Sequence, residues 1–164
     1  AAGILVATAI VRTYWLFVGN KYERWGALFP FRAEDWRNMY RVIRRYLALG
    51  HKSPHWLGHN PLQQFTFTLL YGVALTHVIT GFSMYGLSNP DGFFASAFGW
   101  VSPLFGGHQI VRFVHHAATW YYVAWLPVHI YLSLRADLVH REARVSSIVG
   151  GFRFVRDDID FVDG

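Results

Sequence analysis

The stretch FVHHAATWYYVAWLPVHIYLSLR, Phe113 to Arg135, decides the fold. From Phe113 to Leu134 it holds no Lys, Arg, Asp or Glu, and Arg135 closes it. About 20 apolar residues suffice for a helix to cross a bilayer. A second uncharged run, FTFTLLYGVALTHVITGFSMYGL, extends from Phe65 to about Leu87. A third, AAGILVATAIVRTYWLFV, covers Ala1 to Val18 and is interrupted only by Arg12. Composition agrees: the 164 residues are 53% hydrophobic and 15% charged, whereas soluble domains run at about 25% charged. Aromatic residues make up 18%, with 7 Trp, 9 Tyr and 14 Phe, and amphipathic rings collect at membrane interfaces. These features predict an all-α transmembrane helical bundle with spans at about 1–18, 65–87 and 113–134. The absence of cysteine excludes disulfides, thiolate zinc sites, iron–sulfur ligation and Cys nucleophiles within the chain.

Charge sets the expected orientation. The 19–60 segment carries Lys21, Arg24, Arg32, Arg37, Arg41, Arg44, Arg45 and Lys52 against only Glu23, Glu34 and Asp35. Between Ser88 and Arg112 the single basic residue is Arg112 itself, whereas the tail after Leu134 carries five arginines. The positive-inside rule therefore places the 19–60 loop and the 135–164 tail in the cytoplasm and the 88–112 loop on the other side. Three alternating spans satisfy this arrangement as one membrane domain. Within the basic loop, Ala33 to Leu49 reads as an amphipathic helix: Trp36, Met39, Tyr40, Ile43 and Leu47 recur at helical spacing opposite Arg37, Arg41, Arg44 and Arg45. Such a helix either lies along the inner leaflet on anionic headgroups or is solvated and packed on a partner protein. Membrane topology already accounts for the arginines, so nucleic acid is not an expected partner. The first run lacks the basic n-region of a signal peptide and begins without a cap, so residue 1 reads as a cut inside a helix.

Ionisable residues at membrane depth are costly and point to function. His115 and His129 are 14 residues apart, about 1400° of helical rotation, or four turns less about 40°. They therefore share one helix face, about 21 Å apart along the axis, one near each surface of a hydrocarbon layer about 30 Å thick. Two imidazoles on one stripe, one per leaflet, suit a helix that ligates two stacked haems. The alternative is a pair of core histidines hydrogen-bonded to neighbouring helices. His116 points about 100° away from His115, toward an adjacent helix or a haem propionate. Pro127 removes one helical hydrogen bond just before His129. His77, mid-way along the second run, is either an interior hydrogen-bonded histidine or a group serving a quinone or a proton path. Gly72 and Gly81 on that run allow close approach of a flat ligand or of another helix. Arg12 either snorkels to the headgroups or pairs with a haem propionate.

A rival arrangement lies in HKSPHWLGH, where His51, His55 and His59 are spaced by four. Helical metal binding at that spacing is interrupted by Pro54 and Gly58. A membrane di-iron desaturase or hydroxylase needs HxxxH and HxxHH boxes; His51/His55 fits the first, but Arg112 stands where HxxHH requires its leading histidine. A haem-free membrane anchor is the remaining alternative.

Four segments carry a family resemblance: TYWLFVGNKYER (13–24), GHNPLQQ (58–64), ITGFSMYG (79–86) and HHAATWYYVAWLPVHIYLSLRADL (115–138). In collinear order, they resemble the b-type cytochrome subunit of membrane-bound nickel–iron hydrogenases, one of the four-helix dihaem cytochromes b. The resemblance implies two b haems held by four histidines from three helices, with His115 the periplasmic-side and His129 the cytoplasmic-side ligand. The opposing ligands would come from helices preceding or starting at Ala1, so the sequence is expected to hold three of four spans and to lack the N-terminal helix. The implied activity is electron transfer, non-catalytic on its own. Electrons would pass from a periplasmic nickel–iron large subunit, through a small subunit with a membrane anchor helix, across the haems to membrane quinone. The location would be the bacterial cytoplasmic membrane. His59, Asn60 and His77 are the candidate quinone residues. A formate dehydrogenase or thiosulfate reductase cytochrome shares the scaffold; GHNP and HIYLSLRAD favour the hydrogenase.

Overall fold

The structure, a computed structural model, describes residues 2–30, 32–46, 56, 58–140 and 145–152. Among the described residues there are helices and turns and no strand. The helices are α1 (Ala2–Val18), α2 (Trp25–Leu28), α3 (Ala33–Tyr46), α4 (Pro61–Gly86), α5 (Phe93–Phe98), α6 (Val101–Phe105), α7 (His108–His140) and α8 (Ser146–Gly150). The expected all-α class holds. Among the described residues one helix, α4, is long and apolar enough to cross a membrane; α1 and the Phe93–Phe105 stretch are shorter apolar helices. In α7 the three histidines at 115, 116 and 129 and the rings of Trp120, Tyr121, Tyr122, Trp125 and Tyr131 lower the mean hydropathy of an otherwise uncharged run. His51 and His55 lie outside the described residues, as do Leu47 and most of the tail.

The chain forms two compact units, one ending at Leu75 and the other beginning at Thr76. In the first, α1 stops in a corner written by GNKYER. The Gly19 N–H closes the last turn on the Trp15 carbonyl at 2.8 Å, and a Cβ at Gly19 would lie 2.6 Å from that same oxygen, so only glycine fits. Asn20 Oδ1 accepts the Tyr22 N–H at 3.0 Å, an Asx turn. Arg24 Nε then reaches back to the Gly19 carbonyl at 2.7 Å, satisfying a helix-end acceptor. From within α1, Arg12 donates through Nε to Tyr71 Oη at 2.7 Å and through Nη1 to Glu23 Oε2 at 2.7 Å. Leu16, Leu28 and Val42 are buried, Phe29 packs near Tyr71, and Trp36 meets Phe65 edge-on. Helix α3 opens with a reciprocal pair: the Arg32 N–H donates to Asp35 Oδ2 at 3.1 Å, and the Asp35 N–H to the Arg32 carbonyl at 3.0 Å.

The GHNPLQQ motif is the entrance of α4. Asn60 Oδ1 accepts the Gln63 N–H at 2.9 Å, while Gln63 Oε1 accepts the Asn60 N–H at 3.0 Å. This is a capping box built from Asn and Gln, and Pro61 occupies the first helical position, where its missing N–H costs nothing.

In the second unit, the segment expected as a loop at 88–112 contains α5, α6 and the first residues of α7. Gly86 permits the fold-back: a Cβ there would lie 2.8 Å from the Ala95 backbone nitrogen. Phe82 stacks on Phe94 at 4.9 Å and tilts against Phe98 at 5.2 Å, which anchors α5 on the end of α4. Gly106 and Gly107, at φ 83° and 125°, adopt conformations that only glycine takes without strain. They return their N–H groups to Pro103 and Ser102, ending α6 and letting α7 begin at His108, five residues before the uncharged run starts. Helix α7 then continues as helix through Pro127.

The buried set of this unit is small and partly polar: Val101, Val111 and Ala118 with Thr80, Ser83 and Ser102. Large apolar side chains instead face outward, Phe113 at 70% and Trp120 at 69% exposure. Small residues and hydroxyls between helices with apolar rings outside is the inverse of a water-soluble core, a pattern also used by helices that pack in lipid.

Two outcomes test these corners. Asn60→Ala removes the cap acceptor and is expected to cost about 1 kcal/mol, with Asn60→Asp close to wild type, as read by thermal unfolding in detergent. The Arg12–Glu23 pair is about one-third exposed on each side, so a double-mutant cycle with Arg12→Gln and Glu23→Gln should return a coupling of about 1 kcal/mol or less. A coupling of zero would show that Tyr71 alone holds the guanidinium.

Candidate functional site

The site forms where α4 and α7 meet through polar side chains in apolar helices, within the second unit. On α4, His77 and Thr80 are three residues apart and therefore on one face, with Gly81 beside them. On α7, His115 and Tyr122 are seven residues apart, again on one face. The imidazoles of His77 and His115 lie with centroids 3.9 Å apart and planes at 31°. Tyr122 meets His77 edge-on at 5.9 Å. Both histidines are half-buried.

Thr80 is fully buried, and its Oγ1 lies 3.0 Å from His115 Nδ1. The same hydroxyl donates back along its own helix to the Thr76 carbonyl at 2.7 Å and also approaches the His77 carbonyl at 3.2 Å. Gly81 completes the wall: a Cβ built on it would meet His115 Cε1 at 3.3 Å, so the imidazole rests on the helix surface that glycine leaves open. The close approach expected at Gly81 is thus made by this ring, whereas a Cβ at Gly72 would meet nothing.

Two buried polar atoms in this cluster, His77 Nδ1 and Tyr122 Oη, lack a hydrogen-bond partner among the described residues. Unmet buried polar atoms are uncommon in folded proteins, and these two give the cluster spare hydrogen-bonding capacity directly beside His115. A half-buried imidazole seated on a glycine-made wall, beside polar atoms that the cluster's own residues leave unmet, gives this helix junction hydrogen-bonding capacity for a further group.

The other candidates are placed as follows. His129 lies on the same continuous helix as His115, about 21 Å further along at 1.5 Å per residue. It is exposed and stacks on Trp125 at 4.5 Å with planes 14° apart. Ser133 Oγ donates to the His129 carbonyl at 2.8 Å, local to the turn after the Pro127 position. His116 is exposed, and its Nδ1 lies 2.9 Å from the Arg112 carbonyl one turn back, so this nitrogen donates within its own helix and not to a neighbouring one. Arg12 is engaged by Glu23 and Tyr71 in the first unit. His59 meets Phe67 edge-on at 5.1 Å, and Asn60 spends its amide oxygen on the α4 cap. His77 is 18 residues after His59 and 17 after Asn60 in the sequence. Among the described residues, no group of three or more His, Asp or Glu is arranged to hold a metal ion.

Thr80, Tyr122 and Glu23 did not stand out in the sequence. The available signal for Thr80 was a threonine three residues after an intramembrane histidine, next to a glycine. Which imidazole it serves depends on how α4 and α7 meet, and no spacing within one helix reveals that.

Comparison with known proteins agrees with the earlier resemblance. Residues 1–151 match the family described as Prokaryotic cytochrome b561. The chain is 39% identical over 163 residues to a probable Ni/Fe-hydrogenase B-type cytochrome subunit of Azotobacter vinelandii, covering 96% of this chain and 68% of that protein. It is 35% identical over 164 residues to the protein of the same description from Rhizobium leguminosarum bv. viciae, covering 98% and 69%. Against the probable Ni/Fe-hydrogenase 1 B-type cytochrome subunit of Escherichia coli K12 it is 30% identical over 158 residues, covering 93% and 67%. No solved structure matches the chain. With the family matched over nearly the whole chain, and relatives in several bacteria similar from end to end of it, the chain belongs to the prokaryotic cytochrome b561 family.

Proposed function

We propose that this chain is the membrane-embedded electron-relay subunit of a nickel–iron hydrogenase complex, carrying electrons from a periplasmic nickel–iron hydrogenase through b haems to membrane quinone and anchoring the complex. One observation carries the reading. His115 is held on a glycine-made wall between two apolar helices, and a second imidazole, His129, follows 14 residues later on the same face of one continuous helix. The printed names of relatives at 30–39% identity support the hydrogenase assignment.

In this reading His115 and His129 would hold two b haems through their imidazole nitrogens, and haem iron, when bound, would supply reversible one-electron chemistry. The chain's own residues do the rest. The apolar faces of α4 and α7 would exclude water from the site. The unmet Oη of Tyr122 offers a hydrogen bond to a polar edge. His116 and Arg12 are the proposed propionate contacts, Arg12 by sharing or exchanging its Glu23 partner. For the quinone, His59, Asn60 and His77 are the proposed residues. The unmet Nδ1 favours His77, and the cap duty of Asn60 leaves it a supporting role.

The topology belongs to the same proposal. Helices α1 and α4 and residues 113–134 of α7 cross a bacterial cytoplasmic membrane as one domain. The 19–60 segment and the C-terminal tail are cytoplasmic, and the segment containing α5 and α6 is on the periplasmic side. Helix α3 lies along the inner leaflet, its arginines toward anionic headgroups. The docking partner is the small subunit with its membrane anchor helix, and the large subunit is reached through it.

A reduced-minus-oxidised spectrum of the purified complex tests this. A b-type α-band is expected, with part of it lost in His115→Ala and a different part lost in His129→Ala. Iron without haem would sink the proposal. Affinity purification through this chain should bring down a nickel–iron enzyme; a molybdenum enzyme in its place would move the assignment to the cytochrome of a formate dehydrogenase or thiosulfate reductase.

A further inference from the structure

We propose that Thr80 is the positioning residue of the His115 ligand: its hydroxyl oxygen accepts the Nδ1 hydrogen of His115 and so fixes which ring nitrogen faces the metal. The inference rests on the haem reading above and extends it to a residue outside the ligand set.

The argument is one of hydrogen counting. A threonine hydroxyl has one hydrogen and two acceptor lone pairs. Thr80 Oγ1 has two carbonyl neighbours, Thr76 at 2.7 Å and His77 at 3.2 Å. A carbonyl can only accept, and the Thr76 contact at 2.7 Å is the shortest this oxygen makes, so the hydroxyl hydrogen is assigned to the helix backbone. Toward His115 Nδ1, 3.0 Å away, the oxygen is left with a lone pair. The contact is therefore a hydrogen bond only if Nδ1 carries the hydrogen. In a neutral imidazole that puts the remaining lone pair on Nε2, the atom available to a metal. Thr80 is fully buried, so water does not compete with its oxygen at this point, and losing that oxygen would leave the His77 carbonyl of the same helix as the ring's remaining acceptor.

The location of Thr80 makes the restraint rigid. Its hydroxyl is pinned by its own helix, and the next residue, Gly81, presents the surface on which the imidazole rests, with 3.3 Å between a built Cβ and His115 Cε1. Tautomer and ring plane are thus both set from α4, across the helix interface, while the ligand itself belongs to α7. An acceptor on the far nitrogen raises the electron-donating power of a ligating imidazole and orients it. Removing that acceptor weakens donation to the oxidised iron and moves the reduction potential upward.

The test uses the complex purified with its hydrogenase subunits and a redox titration of the b-type α-band. Thr80→Val keeps shape and burial without the oxygen; Thr80→Ser keeps the oxygen without the methyl. The expected result is a shift to more positive potential of the component lost in His115→Ala, seen in Thr80→Val and not in Thr80→Ser. The component lost in His129→Ala should stay unmoved and reports that the chain is folded. Should the valine variant fail to assemble, Thr80→Ala against Thr80→Ser isolates the same hydroxyl, and the shift is expected in the alanine variant alone. An unshifted potential in the variants lacking oxygen overturns the proposal, as does an equal shift in Thr80→Ser, which would mean packing and not the hydrogen bond. A wild-type complex with no b-type band at all overturns the underlying haem reading instead.

Discussion

A ring nitrogen buried between apolar helices is costly to leave unpaired, and much of the second unit follows from how His115 finds its partner. His115 meets the requirement on α4, where a buried threonine and an adjacent glycine receive it. That contact fixes how the two helices face one another: Thr80 has to be buried between them, and bulky side chains such as Phe113 and Trp120 are left on the outside. Ser83 and Ser102 extend the same logic, since small hydroxyl residues let helix backbones approach while remaining satisfied.

The first unit meets its own version of the constraint. Arg12 carries a charge within an apolar helix, and Tyr71 and Glu23 take up two of its donors. Glu23 is available because the corner at Gly19 and Asn20 turns the chain back past the end of α1. The sequence TYWLFVGNKYER therefore combines an apolar helix, its stop signal and the acid that neutralises the helix's own arginine. Conserving charge in such a segment is a matter of local folding before it is one of ligand binding.

The three long helices were legible because apolar runs of 18 or more residues, uncharged or, in the first, broken only by Arg12, leave few other structures open to the backbone. The helical stretch at Ala33–Tyr46 was legible from its spacing of Trp36, Tyr40 and Ile43 against the arginines. The segment after Leu87 was not, because α5 and α6 are too short for periodicity to speak, and their borders depend on backbone conformations at Gly106 and Gly107 that spacing alone does not specify. GHNPLQQ was legible as a motif, but its spacing did not reveal that Asn60 and Gln63 form a reciprocal cap. His115 and His129 could be paired by arithmetic within one helix. Their supports could not, because Thr80 and Tyr122 acquire meaning only when a second helix is laid against the first.

The continuity of α7 through Pro127 has a consequence for how this region can change over time. Because His115 and His129 are joined by uninterrupted helix, their separation is set by the rise per residue and not by side-chain packing. Substitutions between them leave that spacing untouched. A single inserted or deleted residue would turn His129 by about 100° and carry it about 1.5 Å along the axis, swinging one imidazole off the shared face. The interval is free in composition and fixed in length, so relatives that keep both histidines on one stripe are expected to differ between them by replacement alone.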